Sequence, residues 1–510
     1  MTKYTIEDIT LDRLADSVRD LTFTDKKLTP EQMAETLEHT QLGIPADIHN
    51  HVVGRKWVRP EGWPDLDALK AQIPDGETCV YLTYVLSYCA CGEPWIGIYG
   101  AGASYTVERG HVEDGAFVAD ETTAHNTGSV HRQVLDPANG DVQLWRVHST
   151  GNMTTLKFCS RTSTTSQNPP TMDQPCVERA GKIPHITNLQ GTTSEAAGSI
   201  ATSGYSTYLW STYHLERDST DLAGTVSGLN MIGAYRHSLS LQELDVSGWN
   251  TSAWTVTSLQ SVFEYCCALR ELNLSSWDTS GWAVTTLYHT FNWMLSIEYL
   301  NVSFDTSNWV VTNLTNALSS VRSLRNVDLS SWDTSKWAVK DFRAVFNGDT
   351  SLETLDLSGW DVSNWPVAGS ATGVFESCIS LRELNLDGWD TSGWSPTSTA
   401  SNFNSCINLQ KCSLYDFGRT SGGSGSSYSG PGTNGYHLTD FSGWGDVYVS
   451  HSYRNCPFLT HESLINILVA LPDVTNASSR PDIQLGAYNL RKLTDDEKAI
   501  GTAKGWDVVS

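Results

Sequence analysis

At 510 residues the chain is long enough for two or three domains. Its net charge of −24 repels phosphate backbones and anionic lipid, which excludes nucleic acid and membrane surfaces as partners. No apolar run approaches the roughly 18 residues a membrane span needs, and neither end reads as a signal or an anchor. Eleven cysteines, an odd number scattered over so long a chain, do not make a disulfide framework.

The composition divides the chain into an α+β, multidomain order: N-terminal helices, an antiparallel β-sandwich, then a leucine-rich-repeat solenoid with a helical C-terminal cap. Residues 1–45 are expected to form a helical attachment or oligomerisation segment. Leu11, Leu14, Ala15, Val18 and Leu21 share one helical face, and Thr29, Pro30 and Gln32 open a second short helix. Residues 46–165 are expected to hold the sandwich, from alternating runs at 79–85, 95–99, 104–108, 142–147 and 154–158. A polar linker follows at 166–185 and an irregular solenoid N-cap at 186–240, with 229–241 as a half-repeat.

Residues 241–460 carry one sentence many times over. Its inner leucine recurs at Leu244, Leu272, Leu300, Val327, Leu355 and Leu384, with Cys412 opening a degenerate copy, a period of about 28 residues. Alternation sends the leucines inward and the residues between them to solvent. A Gly/Ser/Tyr-rich insertion at 418–435 interrupts the last coil, and residues 461–510 are expected to cap it. Helices follow Thr460 and the capping box Thr494/Glu497, and Trp506 folds back. Cys266, Cys378, Cys406 and Cys456, each three residues after an aromatic, should be buried fillers of successive turns.

The wording of the repeat resembles a known family. Ser358-Gly-Trp-Asp-Val-Ser-Asn364, the Trp-Asp-Thr-Ser runs at 277–280, 332–335 and 389–392, and Phe375-Glu-Ser-Cys-Ile-Ser-Leu381 look like BspA-like leucine-rich repeats. These occur in bacterial surface adhesins and in tail proteins of bacteriophages, and the resemblance covers roughly residues 225–510. Short stretches at 57–64 and 105–110 also look similar to phage tail proteins. The resemblance implies a non-enzymatic receptor-binding protein located in the virion tail, or else at a cell surface, and possessing no cofactor. Its expected partners are a host surface glycan or protein and other virion tail proteins, in a homo-oligomer, a trimer by analogy. Two other readings stand beside it: a bacterial cell-surface adhesin, and a polysaccharide-degrading enzyme with its site in the β domain.

This sequence departs from the family unit by two extra residues per coil, which bring a second tryptophan: Trp254, Trp282, Trp309, Trp337, Trp365 and Trp394. Regularly spaced aromatic faces suit stacking of sugar rings, so this outer row is the candidate ligand-binding site. The inner row, Trp249, Trp277, Phe304, Trp332, Trp360 and Trp389, reads as core. Asp278, Asp305, Asp333, Asp361 and Asp390 could line up for calcium, but Asp before Thr-Ser is also what an Asx turn asks for, the preferred reading. A second Asx ladder, Asp245, Asn273, Asn301, Asp328, Asp356 and Asn385, lies on the strand face. Beside it Arg270, Glu298, Arg325, Glu353 and Arg382 alternate in sign and should pair among themselves. Asp47, His49 and His51, or Cys89 and Cys91, could ligate a metal, but neither set has the further ligands such a site needs, so no metal is assigned.

Overall fold

The computed structural model describes residues 58–88, 93–158, 172–173, 176–185, 215–224, 226–229, 231–236, 238–391, 393–396, 401–414, 437–442, 451–477 and 479–510. The expected N-terminal helices, the Asp47/His49/His51 and Cys89/Cys91 sets and the 418–435 insertion lie outside these residues.

The described chain is mostly β. It begins with a short helix α1 (Leu66–Lys70), whose N-cap Asp65 accepts the backbone N–H groups of Asp67 and Ala68. The strands that follow are β1 (Thr78–Val85), β2 (Glu93–Ala101), β3 (Tyr105–Glu113), β4 (Ala116–His125), β5 (Ser129–Val134), β6 (Val142–Ser149), β7 (Thr155–Phe158), β8 (Met172–Asp173), β9 (Cys176–Ile183), β10 (Arg217–Leu222), β11 (Val226–Leu229) and β12 (Glu243–Leu244). All of them but β11 make two sheets. One runs β12-β10-β9-β1-β6-β3-β4, and the other runs β5-β2-β7 with β8 paired to β2.

Part of the expected linker is therefore sheet. Residues 176–183 pair antiparallel with β1 and parallel with β10, and nearly all of them are buried. The charges in this stretch disguise it as polar surface, yet Glu178 and Arg179 are buried and paired. Glu178 takes ion pairs from Arg59 and Arg217, and Arg179 takes one from Asp218. Burial alone would raise the Asp218 carboxyl. The Arg179 guanidinium, the Thr220 N–H and the Tyr235 hydroxyl outweigh it and hold the carboxyl below its usual range.

The sheet does not end where the repeats begin. β10 pairs in parallel with β12, so the inner strand of the first repeat is the edge of the sandwich sheet. β11 pairs with Trp254–Val256, and Gly233 and Tyr235 donate to Gln260 and Val262 of the next coil. The described residues of 217–240 thus stack on the first repeat along more than one side, rather than as a half-repeat. One hydrophobic core runs without a break from Val80 to Trp506.

The solenoid is a β-solenoid, which corrects the leucine-rich-repeat expectation. No helix lies among the described residues of its coils, and the coils are joined by ladders on three sides. The first side is the leucine strand, in register at Leu272↔Leu300, Leu355↔Leu384 and Leu384↔Cys412. On the second, Ala283, Val310 and Ala338 donate to Val256, Val284 and Val311 of the preceding coil. On the third, Leu287, His289, Phe291 and Trp293 donate in alternation to Asn313, Thr315, Ala317 and Ser319 of the next. Between those bonds the third side closes local turns, which places two left-handed residues in each coil. One row is Ser261, His289, Asn316, Ala344, Gly373 and Ser401, and the other is Tyr265, Trp293, Ser320, Gly348, Ser377 and Ser405.

The C-terminal segment is mixed rather than a helical cap. His451–Ser452, Asp482–Gln484 and Asp507–Val509 form a parallel three-stranded sheet. Around it lie α2 (His461–Ala470), capped by Thr460, α3 (Gly486–Leu490) and α4 (Asp495–Ala503), opened by the Thr494/Glu497 capping box. Trp506 is buried, and its indole N–H donates to the Pro472 carbonyl at 2.8 Å.

Candidate recognition surface

The outer tryptophan row is core, which overturns its assignment as the ligand-binding site. Trp254, Trp282, Trp309, Trp337, Trp365 and Trp394 are 0–4% exposed. Trp254 opens a Trp-x-Val strand whose two end positions both face inward, and Val284, Val311, Val339 and Val367 repeat the buried valine two residues after their tryptophans, whereas Trp394 is followed by Ser395 and Pro396. The rings stack on one another along the solenoid, Trp337 on Trp365 at 6.2 Å and Trp365 on Trp394 at 6.1 Å. Each also leans on the inner row at 38–51°, as Trp337 does on Trp332 at 5.7 Å. The inner row is buried in parallel with it, Trp332 over Trp360 at 6.0 Å. No face of either row is open to a sugar.

The conspicuous Trp-Asp-Thr-Ser run closes the coil. The tryptophan fills the core. The Asp carboxylate accepts the N–H two residues on, Ser280 to Asp278 at 3.1 Å and Ser335 to Asp333 at 3.0 Å. The Thr hydroxyl donates to the Asp carbonyl of the next coil, Thr279 to Asp305 at 2.9 Å and Thr306 to Asp333 at 3.0 Å. The hydroxyl of Ser307, then its N–H, holds Asp305 below its usual range, and Ser335 does the same for Asp333. Asp390 ends the ladder beside Trp389.

The strand face is likewise tied to itself. Asp245, Asn273, Asn301, Asp328, Asp356 and Asn385 each accept the backbone N–H two residues on. Arg270 pairs with Glu298, and Arg325 and Arg382 both reach Glu353. The face is only shallowly hollowed, for example over about 450 Å³ beside Asp328, Ser330, Asp356 and Ser358. Among the described residues no group of three or more His, Cys, Asp or Glu side chains is placed to hold a metal ion.

The thiols are also committed. Cys266, Cys378 and Cys406 are buried and donate to the carbonyls of Tyr235, Phe346 and Phe375 in the preceding coil. Burial, their largest influence, pushes them above the usual thiol range, to about 12 for Cys406.

The third side breaks the repetition at one place. Among the described residues Trp293 is the most exposed tryptophan, at 37%. Tyr265 stacks on it at 5.8 Å from the preceding coil, and the Arg322 guanidinium lies over the ring at 5.4 Å from the following one. Both aromatics occupy the left-handed row, with φ of 63° and 61°, where the other coils place Ser320, Gly348, Ser377 and Ser405. A bulky side chain in that conformation costs about 1–2 kcal/mol. Sequence reasoning passed over Trp293 because it falls in neither tryptophan row. The signal was present, an aromatic where sister coils carry Ser or Gly.

Comparison with known proteins touches only the coils. Residues 229–336 and 285–415 match the family described as "Mycoplasma protein of unknown function, DUF285". The two matches overlap, shifted by two repeat periods, as a sliding repeat would be. No curated protein matches the chain.

Proposed function

We propose that the chain is a non-enzymatic recognition protein of the tail-fibre or adhesin kind, whose solenoid presents the contact surface. The observation that carries this reading is the Tyr265–Trp293–Arg322 stack, exposed on a surface whose other ladders are occupied with one another. Trp, Tyr and Arg are the residues that dominate recognition surfaces, and here two of them are held at a cost in backbone strain. A rigid solenoid suits this work, because the core of stacked coils fixes the surface before any ligand arrives. Placement in a virion tail, with attachment through residues 1–45 and a trimeric assembly, rests on the resemblance of the repeat wording and is proposed on that basis. Tail and baseplate genes beside its own would support that placement, and a cell-wall export locus would support an adhesin instead.

The reading is tested by incubating purified protein with candidate host cells and their isolated surface polymers. Retention of the protein with the polymer left intact is expected. Shortened polymer with no retained protein would overturn the proposal in favour of a degrading enzyme.

A further inference from the structure

Resting on the recognition reading, we infer that the leucine-strand face carries a subsite for a neutral N-acetylated sugar, at a rung missing from the ladder between Tyr299 and Asn326. The strands on either side fall into separate sheets, Glu271–Asn273 with Tyr299–Asn301 and Thr354–Asp356 with the strands that follow it, and Asn326–Asp328 belongs to neither. A sister coil shows what is lost. Tyr299 donates to the Arg270 carbonyl at 3.1 Å, but no backbone bond joins Asn326 to Glu298. The cause is in the sequence. Ser303 leads straight to Phe304, where the preceding coil places both Ser275 and Ser276 before Trp277, so Leu300 to Val327 is a step of 27 residues against 28 from Leu272 to Leu300. Solvent enters there. Val327 is partly exposed, whereas Leu272, Leu300, Leu355, Leu384 and Cys412 in the same inner row are buried. Hollows flank this coil on both sides: one of about 200 Å³ lined by Glu298, Tyr299, Asn301, Asn326 and Asp328, and beyond it the one that reaches Ser358.

The chemistry of the ligand follows from what the gap leaves unpaired. The Asn326 N–H and the Glu298 carbonyl are a donor and an acceptor that a regular ladder would join, and an acetamido group offers the complementary acceptor and donor. Tyr299 stands beside them, 47% exposed, with its hydroxyl accepting from the Asn301 amide at 3.3 Å. Among the described residues its ring meets no other ring or cation, and sister coils place Glu271, Thr354 and Glu383 at its position. It supplies the apolar wall that a pyranose needs. Glu298 and Asp328 on the rim, in a chain of net charge −24, repel an anionic sugar and leave a neutral one. An extended peptide does not fit the same gap. The two coils stay tied on their other sides, Ala338 to Val311 at 2.9 Å and Leu314 to Asp341 at 3.0 Å, whereas an inserted strand needs two ladder spacings, roughly 9.6 Å.

The test titrates the full chain by calorimetry with triacetylchitotriose and with cellotriose, which has the same linkage but hydroxyls in place of the acetamido groups. The acetylated trimer should bind about tenfold more tightly or better. Tyr299→Thr introduces the residue already present at the equivalent Thr354, so it should weaken that binding about tenfold and leave the melting temperature unchanged. Inserting one serine after Ser303 restores the 28-residue step and should abolish binding in a chain that still shows the wild-type circular dichroism. In hydrogen exchange the amides of residues 326–328 should exchange faster than those of Glu383–Leu386, a strand paired on both sides, and should slow when the acetylated trimer is added. Equal binding of the two sugars, no binding of either, binding that survives Tyr299→Thr, or amides at 326–328 as protected in the free chain as those at 383–386 would each overturn the assignment. In the cell-retention assay, equal retention of wild type and Tyr299→Thr removes this subsite while leaving the recognition reading in place. No retention of either, with the polymer shortened, removes the recognition reading itself.

Discussion

Replacing Trp337 by alanine should unfold part of the solenoid rather than release a ligand. Trp337 is 0% exposed, stacks on Trp365 at 6.2 Å and leans on Trp332 at 5.7 Å and Trp360 at 6.1 Å. Burying roughly 200 Å² of indole at about 25 cal/mol per Å² sets an upper scale of about 5 kcal/mol, and measured Trp→Ala changes in cores cost about 3–5 kcal/mol. A subtler comparison separates Trp337 from its neighbour Trp332. The Trp337 indole nitrogen is buried without an acceptor, whereas that of Trp332 donates to the Val302 carbonyl at 2.9 Å. Trp→Phe removes a hydrogen bond only at Trp332, so Trp332→Phe should cost about 1 kcal/mol more than Trp337→Phe. Urea denaturation followed by circular dichroism reads both, and the loss should spread to neighbouring coils because solenoid stability is a nearest-neighbour quantity. A Trp337→Ala cost below about 1 kcal/mol would refute the burial argument.

Three further outcomes follow from the same geometry. His131 is buried against His125, its Nδ1 3.0 Å from the partner's Nε2, and burial, then the neighbouring imidazole, lowers it from 6.5 to about 4. The unfolded chain therefore binds the extra proton between these values, and stability should fall by about 1–2 kcal/mol as pH drops from 7 to 5, a dependence that His131→Phe should flatten in thermal melts. Asp349 is buried where sister coils carry Cys378 and Cys406, and burial raises it well above 3.8 despite the Val321 N–H it accepts. Its ionisation is therefore opposed in the folded state, so stability is lost as pH rises above the normal carboxylate range. Asp349→Asn should match wild type near pH 3.5 and exceed it at pH 7 in the same melts. Ala344 sits at φ 52°, and Ala344→Gly should raise the urea midpoint slightly, the relieved strain of about 1–2 kcal/mol outweighing about 0.5–1 kcal/mol of added chain entropy.

The period and the leucine register were legible because each coil repeats the same apolar spacing, and the structure pairs Leu272 with Leu300 and Leu355 with Leu384 as that spacing requires. The second side of the coil was written just as plainly, in a Trp-x-Val alternation repeated from Trp254-x-Val256 to Trp365-x-Val367, which is the period of a strand. Measuring the repeat against a shorter family unit made those residues look like an added loop, and so like surface. The third side could not be read at all from hydrophobic period. Its backbone alternates between ladder bonds and left-handed turns, so Ser261, Glu264 and Asn292 are buried there although their chemistry suggests solvent.

The junction was hidden for a related reason, because a strand whose charges are neutralised across the sheet does not look apolar. Glu178 and Arg179 in β9 meet Arg217 and Asp218 in β10, and the same β10 is the first rung on which Glu243 and Leu244 stack. Sandwich and solenoid consequently share a strand, a charge network and one unbroken core. A cut between β9 and β10 would strip the first coil of its neighbour, take Arg217 from Glu178 and leave Arg179 and Asp218 without each other. Fragments divided there should fail to fold, whereas the whole chain should denature as coupled units, since breaking a buried pair costs about 3–5 kcal/mol before any coil is lost.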